Sequence, residues 1–405
     1  MDGNKIYNDL PNQVNLQTTI KKFNFSGHLA SNHHLVKSSS VDSDDVINII
    51  GDLTLDQILD TPYWSDELKE AKFSTLANFE DSLMNWENVI QQFLVTFDYN
   101  TFGSYVEFYK LYKNAKQNLV DFVLSYQPSI NRESMSCVAL SLYLMKHLKQ
   151  IDTKYGSMFS LVSCEEMIPI IDETETENIY QMESKNNVKE HVMICLKFSL
   201  NEDARNGYVL IDPGYHISRP IVVMNDSNYP HTGWFVASNN SRNVKEYCYQ
   251  VVSDKFVMWK VKETKKGTSE LYKEYVNIIY IQKEFIKYVN VTEKRALIFS
   301  MKTYVIRNRK GAVAGFYSWI NQKDLTIFYE ENGNRVMHKF AIDDIQKLEV
   351  KSALTKVASF MENNHFDLGQ QVDKFLQILI DFKQTLYDEY FCTDLSKIDK
   401  WIDTN

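Results

Sequence analysis

Two apolar runs joined by a polar turn place the strongest constraint on the fold of this chain. The runs are HVMICLKF at 191–198 and YVLID at 208–212, and the turn between them reads SLNEDARNG. Both runs are typical of strands, and a polar turn of this length joins antiparallel neighbours, so the pattern predicts a β-hairpin. At its open end, His191 and Asp212 are expected near opposite positions with their side chains on one face.

The two faces of the predicted hairpin differ in character, because successive side chains in a strand point to opposite sides. The face that carries His191 and Asp212 continues with Met193, Cys195, Tyr208 and Leu210. The other face is aliphatic core, made of Val192, Ile194, Leu196, Phe198, Val209 and Ile211. A histidine and an aspartate paired at the rim of a sheet orient an imidazole, so this end of the hairpin is a candidate half of a catalytic site.

One cysteine differs from the others by its context. Cys137 follows a polar loop in which Ser134 and Ser136 are candidate N-caps, and it opens an apolar helix predicted over 137–149. A thiol at a helix N-terminus lies near the positive end of the helix dipole, which favours the thiolate. The others lie in apolar or aromatic patterns typical of inert core thiols: Cys164, Cys195, Cys248 and Cys392.

Taken singly, these three residues have ordinary structural explanations. Cys137 is as readily a core thiol, His191 the first residue of a strand, and Asp212 a turn residue before Pro213. Their occurrence together, each in the element that suits the role, predicts a Cys-His-Asp catalytic triad. His216 and His231 are weaker candidates for the base, since neither precedes an apolar strand with an acid across from it.

Length and composition predict the domain organisation. The chain has 405 residues, 44% of them hydrophobic and 24% charged, so we expect a globular protein of two or three domains. We predict a flexible polar arm at 1–45, a helical region at 46–150 that ends in the helix of Cys137, a β-rich region at 151–350 that carries His191 and Asp212, and a helical segment at 351–405. An acidic stretch at 172–187 is predicted to be a solvent-exposed loop.

The net charge and the absence of targeting signals in the sequence limit which partners the protein binds and where in the cell it is expected. The net charge of −9 disfavours a chain-wide interface with nucleic acid or an anionic membrane. Neither a secretory signal nor an uninterrupted apolar stretch of about 18 residues is present, so we expect a cytoplasmic protein with reduced thiols. The cysteines form no C-x-x-C pair and none lies near the histidine pair at 33–34, so no metal site is expected.

Three segments resemble a known family of thiol enzymes. RESMSC (132–137) opens a helix, HVMICLKF (191–198) forms a strand, and GYVLIDPGYHISRPIVV (207–223) ends a strand in an aspartate followed by a glycine turn. In this order they resemble the transglutaminase-like branch of the papain-type superfamily, and within it the arylamine N-acetyltransferases. The resemblance implies an α+β papain/transglutaminase-like cysteine fold, with an N-terminal helical region, a β-rich, barrel-like middle and C-terminal helices. Where the acetyltransferases have Arg-Gly-Gly-x-Cys, this chain has Glu-Ser-Met-Ser-Cys at 133–137.

The resemblance further implies an acyltransferase that forms an acyl-cysteine on Cys137 and passes the acyl group to an amine. Acyl-CoA is the candidate co-substrate, with no cofactor bound to the protein, and the acceptor is a small-molecule amine or a protein or peptide. Two alternatives stay open: a transglutaminase, deamidase or thiol hydrolase that acts on amides, and an inactive binding module of the same fold.

Two groups of residues are candidates for substrate binding. In the turn-rich stretch after Asp212, the aromatic residues Tyr215, Trp234 and Phe235 are candidates for lining the acceptor site. The densest basic group is KTYVIRNRKG at 302–311, which includes Lys302, Arg307, Arg309 and Lys310. Its cations are candidates for contacting the phosphates of CoA, although solvated charges beside a turn are the simpler interpretation.

Overall fold

The computed structural model describes residues 53–168, 188–239, 243–266, 272–332, 334–361 and 367–404. The predicted arm at 1–45 and the predicted acidic loop at 172–187 lie outside them. The described residues combine helices with two large antiparallel-rich sheets, which confirms the α+β class. Within these ranges, no helix has the length and apolar character required to cross a bilayer.

The larger sheet holds nine strands among the described residues and carries the predicted hairpin. Its strands are β2 (Glu70–Phe73), β4 (Ser160–Ile168), β5 (His191–Leu200), β6 (Arg205–Ile211), β7 (Ile221–Met224), β8 (Phe235–Asn239), β9 (Asn243–Val251), β10 (Phe256–Lys265) and β11 (Tyr272–Tyr280). They pair in the order β7-β6-β5-β4-β11-β10-β9-β8, and β2 runs parallel to the second half of β5. The strands β5 and β6 form the predicted antiparallel hairpin.

This sheet curls so that strands distant in its order share one core. Met193, Cys195 and Leu210 on the β5–β6 hairpin belong to the same apolar cluster as Tyr249 on β9 and Trp259 on β10. A twisted sheet of this many strands curls around its concave face and forms a half-barrel. This agrees with the barrel-like middle expected from the sequence. Tyr208 lies in this cluster too, so the face predicted to follow His191 and Asp212 faces the inside of the curl.

Two helices cover the outer face of the hairpin. They are α2 (Leu76–Thr96) and α5 (Cys137–Ile151), and both pack against the predicted aliphatic face, which includes Ile194, Leu196 and Val209. The side chain of Thr75 caps α2 by accepting from the Asn78 amide. The region at 46–150, predicted to be helical, also contains the strands β1 (Trp64–Glu67) and β2, whose sheet partners lie far along the sequence.

The second sheet has five strands and its own helical layer. Its order is β16-β15-β14-β13-β3, formed by β3 (Tyr99–Asn100), β13 (Met301–Asn308), β14 (Gly311–Trp319), β15 (Asp324–Glu331) and β16 (Asn334–Ala341). The helices that share its core are α3 (Phe102–Ala115), α4 (Leu119–Ser125), α7 (Leu348–Ala358), α8 (Leu368–Leu386) and α9 (Glu389–Thr404).

Short elements join the two sheets. They are α1 (Leu55–Ile58), the β1 and β12 (Lys283–Phe285) pair, a π-helical turn at Val289–Glu293 and α6 (Lys294–Ile298). The strand β3 brings the second sheet to the start of α5, since the Asn100 amide donates to the Met135 carbonyl at 3.0 Å. The N-terminus of α5 therefore lies where both sheets meet.

Candidate active site

The N-terminus of α5 is capped by Ser136, one of the two predicted candidates. The Ser136 hydroxyl oxygen accepts from the amides of Val138 at 3.1 Å and Ala139 at 3.3 Å. The same hydroxyl donates its proton to the carboxylate of Glu293, so its donor and both acceptor sites are used. The amide of Cys137 itself has no acceptor among the described residues. That N–H lies at the positive end of the helix and is available to a ligand.

His191 and Asp212 meet at the open end of the hairpin. The pairs Ile194–Ile211 and Cys195–Leu210 fix the register, which puts Asp212 one residue beyond β6 and diagonal to His191. The Nε2 atom of His191 lies 3.0 Å from Oδ2 of Asp212. The other carboxylate oxygen of Asp212 accepts from the Tyr215 amide at 2.9 Å. With both oxygens engaged, the carboxylate holds the imidazole in one orientation.

Cys137 lies beside the imidazole of His191, since both side chains closely approach Gly214. The thiol is near enough to raise the pKa of His191. Because Nε2 is engaged by Asp212, the nitrogen left for the thiol is Nδ1. Cys137 is 6% exposed, His191 3% and Asp212 0%, so the three side chains lie in a nearly water-free site. The structure thus brings together the three residues that the sequence singled out.

The electrostatics of this group favour a charged imidazole. Burial alone lowers the pKa of His191, but the carboxylate of Asp212 and the Cys137 thiol raise it well above its usual range. Burial raises the pKa of each of the other thiols: Cys164, Cys195, Cys248 and Cys392, the last to about 12. Those four are therefore protonated and poorly nucleophilic at neutral pH.

Gly214, in the turn after Asp212, lies against both Cys137 and His191. A Cβ atom at this position would lie 2.7 Å from Cβ of Cys137 and 2.8 Å from Cε1 of His191. No side chain fits there, so the close approach of the thiol to the imidazole requires glycine. The pattern Asp-Pro-Gly after a strand was the available signal, but only the position of α5 explains it.

Two of the four cations in the basic group at 302–311 are structural and match neither interpretation offered for it. The other two, Arg309 and Lys310, are exposed beside a turn, as the simpler interpretation expects. Arg307 is 1% exposed and donates from Nη1 to the Pro213 carbonyl at 2.6 Å and from Nε to the Phe97 carbonyl at 3.0 Å. Lys302 is 0% exposed and donates to the Leu297 carbonyl at 2.7 Å. Neither is solvated or available to a phosphate, because both are held by backbone carbonyls in the core. Arg307 instead fixes the turn that carries Asp212 and Gly214.

A second buried carboxylate lies behind the helix cap. Glu293 ends the π-helical turn, is 3% exposed and accepts from Ser136. Burial raises its pKa to about 7, against the lowering effect of the Ser136 hydrogen bond and of Lys302. Burial likewise lowers the pKa of Lys302 to about 7. The ionisation of Glu293 thus takes place near neutral pH, one residue from Cys137.

The three aromatic residues considered for substrate binding are not gathered at one place. Tyr215 packs edge-on against His191, with ring centroids 4.9 Å apart, and its hydroxyl donates to Glu166 at 2.7 Å. Phe235 lies one ring further away, beyond Tyr247. Trp234 lies under the ammonium group of Lys262, which is 4.1 Å from the ring centroid. Tyr215 alone of the three contacts the imidazole.

The two competing histidines have other surroundings. His216 has a left-handed backbone, its ring packs edge-on against Tyr99 at 5.6 Å, and burial lowers its pKa well below the usual range. The Nδ1 atom of His231 accepts from the Met224 amide at 3.2 Å. Neither forms a hydrogen bond with a carboxylate among the described residues, so neither matches the surroundings of His191.

No protein-family model and no curated protein matches the chain. Two solved structures resemble it at 8% sequence identity. One is the arylamine N-acetyltransferase from Mycobacterium abscessus, with a TM-score of 0.38, 74% of this chain covered and 88% of that one. The other is the arylamine N-acetyltransferase from Salmonella typhimurium, with a TM-score of 0.35, 76% of this chain covered and 94% of that one. A likeness of this size does not assign the chain to their family.

Proposed function

We propose that this protein is a thiol acyltransferase in which Cys137 is the nucleophile, His191 the general base and acid, and Asp212 the group that orients His191. One observation carries the proposal: a single buried imidazole lies beside a helix N-terminal thiol and is hydrogen-bonded to a fully buried carboxylate. This is the arrangement that activates a cysteine for attack on a carbonyl. We further propose a papain-type, transglutaminase-like relationship for the fold, supported by the helix-then-hairpin order of the three residues.

The first half-reaction forms an acyl-cysteine. The Cys137 proton passes to Nδ1 of His191, and the thiolate attacks the carbonyl carbon of an activated acyl donor, so that a C–S bond forms and the carbonyl π electrons move to oxygen. The unpaired amide of Cys137 donates to this oxyanion. When the intermediate collapses, the C=O bond re-forms and the bond to the leaving group breaks. The leaving group takes the proton from His191.

The second half-reaction transfers the acyl group to an amine. His191 removes a proton as the amine nitrogen attacks the acyl-cysteine, and it returns that proton to the Cys137 sulfur as the C–S bond breaks. An amine is favoured over water because its nitrogen is the stronger nucleophile towards a thioester. The rings of Tyr215 and Trp259 beside the imidazole also limit the approach of bulk water. Acyl-CoA remains the proposed co-substrate, and its phosphates would require cations other than Lys302 and Arg307.

The proposal is tested by capture of the acyl-enzyme. The full chain is mixed with acetyl-CoA and, separately, with p-nitrophenyl acetate, quenched in acid and examined by peptide mass spectrometry. We expect one acetyl group on Cys137, lost in Cys137→Ser and retained in a Cys248→Ser control. Addition of a primary amine should discharge the acetyl group as an amide.

Three outcomes separate the proposed transferase from its alternatives. Discharge by water at the same rate with and without amine would favour the hydrolase. Release of ammonia from a glutamine peptide would favour the transglutaminase or deamidase. Failure of both donors and of the peptide to react at Cys137 would overturn the enzymatic proposal and favour a binding module.

A further inference from the structure

The proposed acyl transfer requires a second hydrogen-bond donor for the oxyanion, and one side chain beside Cys137 is suited to this role. The helix N-terminus offers only the amide of Cys137, because Ser136 already occupies those of Val138 and Ala139. A single amide stabilises the oxyanion incompletely, and the loss of one donor typically costs 10²–10³ in rate. The remaining donor must reach the same side of the sulfur.

Tyr99 is fixed next to the segment that enters α5. It lies on β3, where it pairs with Val305, and its neighbour Asn100 donates from its amide to the Met135 carbonyl at 3.0 Å. The Asn100 carbonyl in turn accepts from the Ser134 hydroxyl at 3.1 Å. These bonds hold the backbone of β3 alongside the two residues that precede Ser136 and Cys137.

The ring of Tyr99 bridges the two arms of the site. Its other neighbour is His216, edge-on at 5.6 Å, which belongs to the turn that carries Asp212 and Gly214. Gly214 contacts both Cys137 and His191. The Tyr99 ring therefore lies between the segment that enters α5 and the turn that follows the hairpin, the two parts of the chain that carry Cys137 and Asp212.

The Tyr99 hydroxyl is an available donor. It forms no hydrogen bond with any described residue, and the side chain is only partly buried. Burial raises the pKa of the Tyr99 phenol well above its usual range, and the negative charges of Cys137, Glu293 and Glu166 raise it further. The phenol thus keeps its proton at every pH at which a thiol enzyme works, and it can donate but not compete with Cys137 as an anion.

We infer that Tyr99 is a catalytic residue whose phenolic O–H donates a hydrogen bond to the oxyanion of the tetrahedral intermediate, together with the amide of Cys137. The inference rests on the proposed acyl transfer. In the step concerned, the carbonyl oxygen gains the π electrons as the C–S bond forms, and the Tyr99 O–H shortens its contact with that oxygen without giving up its proton. The proton that reaches the leaving group comes from His191.

The test compares two reactions of Cys137 that share the thiolate but differ in the oxyanion. Acetylation by p-nitrophenyl acetate passes through a tetrahedral intermediate, whereas alkylation by iodoacetamide displaces iodide and forms none. Tyr99→Phe removes only the hydroxyl. We expect it to slow acetylation by about 10²–10³ and to leave alkylation unchanged. Tyr143→Phe, which removes a hydroxyl from α5 itself, is the matched control and should change neither reaction.

Each result decides the matter. Acetylation of Tyr99→Phe at the unsubstituted rate would overturn the inference and leave the proposed acyl transfer standing. An equal fall in acetylation and alkylation would also overturn it, since Tyr99 would then act on the thiolate. Absence of acetylation in the unsubstituted protein would overturn the proposed function and this inference together. A thermal melt shows that the variant is folded in each case.

Discussion

Gly214→Ala is the substitution whose effect follows most directly from the geometry. The added Cβ would lie 2.7 Å from Cβ of Cys137 and 2.8 Å from Cε1 of His191. Ordinary contacts between carbon atoms are about 3.5–4.0 Å, so both neighbours must retreat by roughly 0.7 Å or more. Gly214 lies outside the left-handed region of backbone conformation, so the clash is the main cost of the change.

The expected loss of rate follows from how far the Cys137 and His191 side chains must move. The new methyl group is too close to both Cys137 and His191, so relief of the two contacts displaces them by roughly 1 Å or more. A displacement of ~1 Å costs on the order of 10² in rate. Overpacking of this kind destabilises a fold by about 1–3 kcal/mol, which a chain of this size tolerates. We therefore expect a folded variant in which iodoacetamide alkylates Cys137 much more slowly at pH 6 than in the unsubstituted protein.

The assay measures the rate of Cys137 alkylation by iodoacetamide at pH 6, with a chemical melt to establish folding. Gly369→Ala, at the start of α8, is the control for the general effect of replacing glycine, and it should react like the unsubstituted protein. A Gly214→Ala protein that is folded and alkylated at the unsubstituted rate would refute the idea that this glycine permits the thiol–imidazole contact.

Three further substitutions address the supporting groups. Asp212→Asn should reduce acyl transfer by about 10³–10⁴, because the imidazole loses the carboxylate that raises its pKa and fixes its tautomer; a smaller effect than tenfold in the acetylation rate would argue against that role. Glu293→Gln should weaken the dependence of stability on pH. The pKa of Glu293 is raised by burial to about 7, so its contribution is fully present below the unfolded pKa and is lost as the pH rises through 7. Urea melts from pH 4 to 8 should therefore show the Gln variant losing less stability, by up to about 3 kcal/mol, and parallel curves would contradict this. Arg307→Lys should lower the unfolding midpoint and slow Cys137 acetylation at least tenfold, because lysine lacks the fixed, widely spaced N–H groups by which the guanidinium reaches the Phe97 carbonyl from Nε and the Pro213 carbonyl from Nη1. A change in stability alone would make Arg307 purely structural.

The hairpin and the helix of Cys137 were predictable because their signals are local. Alternation along 191–198 and 208–212 predicts which side chains share a face of the hairpin. The observed pair Cys195–Leu210 lies on one predicted face, so the register agrees with the prediction. The serine before Cys137 signalled a helix start, and Ser136 does cap α5. Local periodicity and capping chemistry act over a few residues, so a sequence displays them directly.

The groups that surround the site were not predictable, because they come from distant parts of the chain. Arg307 looked like a surface cation, but it lies in the core against the Pro213 carbonyl. Glu293 contacts Ser136 because a π-helical turn places it there, and Tyr99 contacts His216 because β3 pairs with β13. The sequence pattern reveals neither the turn nor the pairing. Likewise, residues 64–73 form strands because β1 pairs with β12 and β2 pairs with β5. Pairing with distant strands overrides the local propensity of these residues.

The central claim is that Cys137 and His191 act as one nucleophilic pair, and its most direct test is the pH dependence of alkylation of all five cysteines. Iodoacetamide is applied from pH 4 to 9 and the labelled peptides are quantified. A free cysteine reacts with a midpoint near pH ~8.5. We expect Cys137 alone to be labelled rapidly below pH 7, and His191→Ala to abolish this rapid labelling while the other four thiols stay slow. Uniformly slow labelling of Cys137, or rapid labelling that persists in His191→Ala, would contradict the central claim.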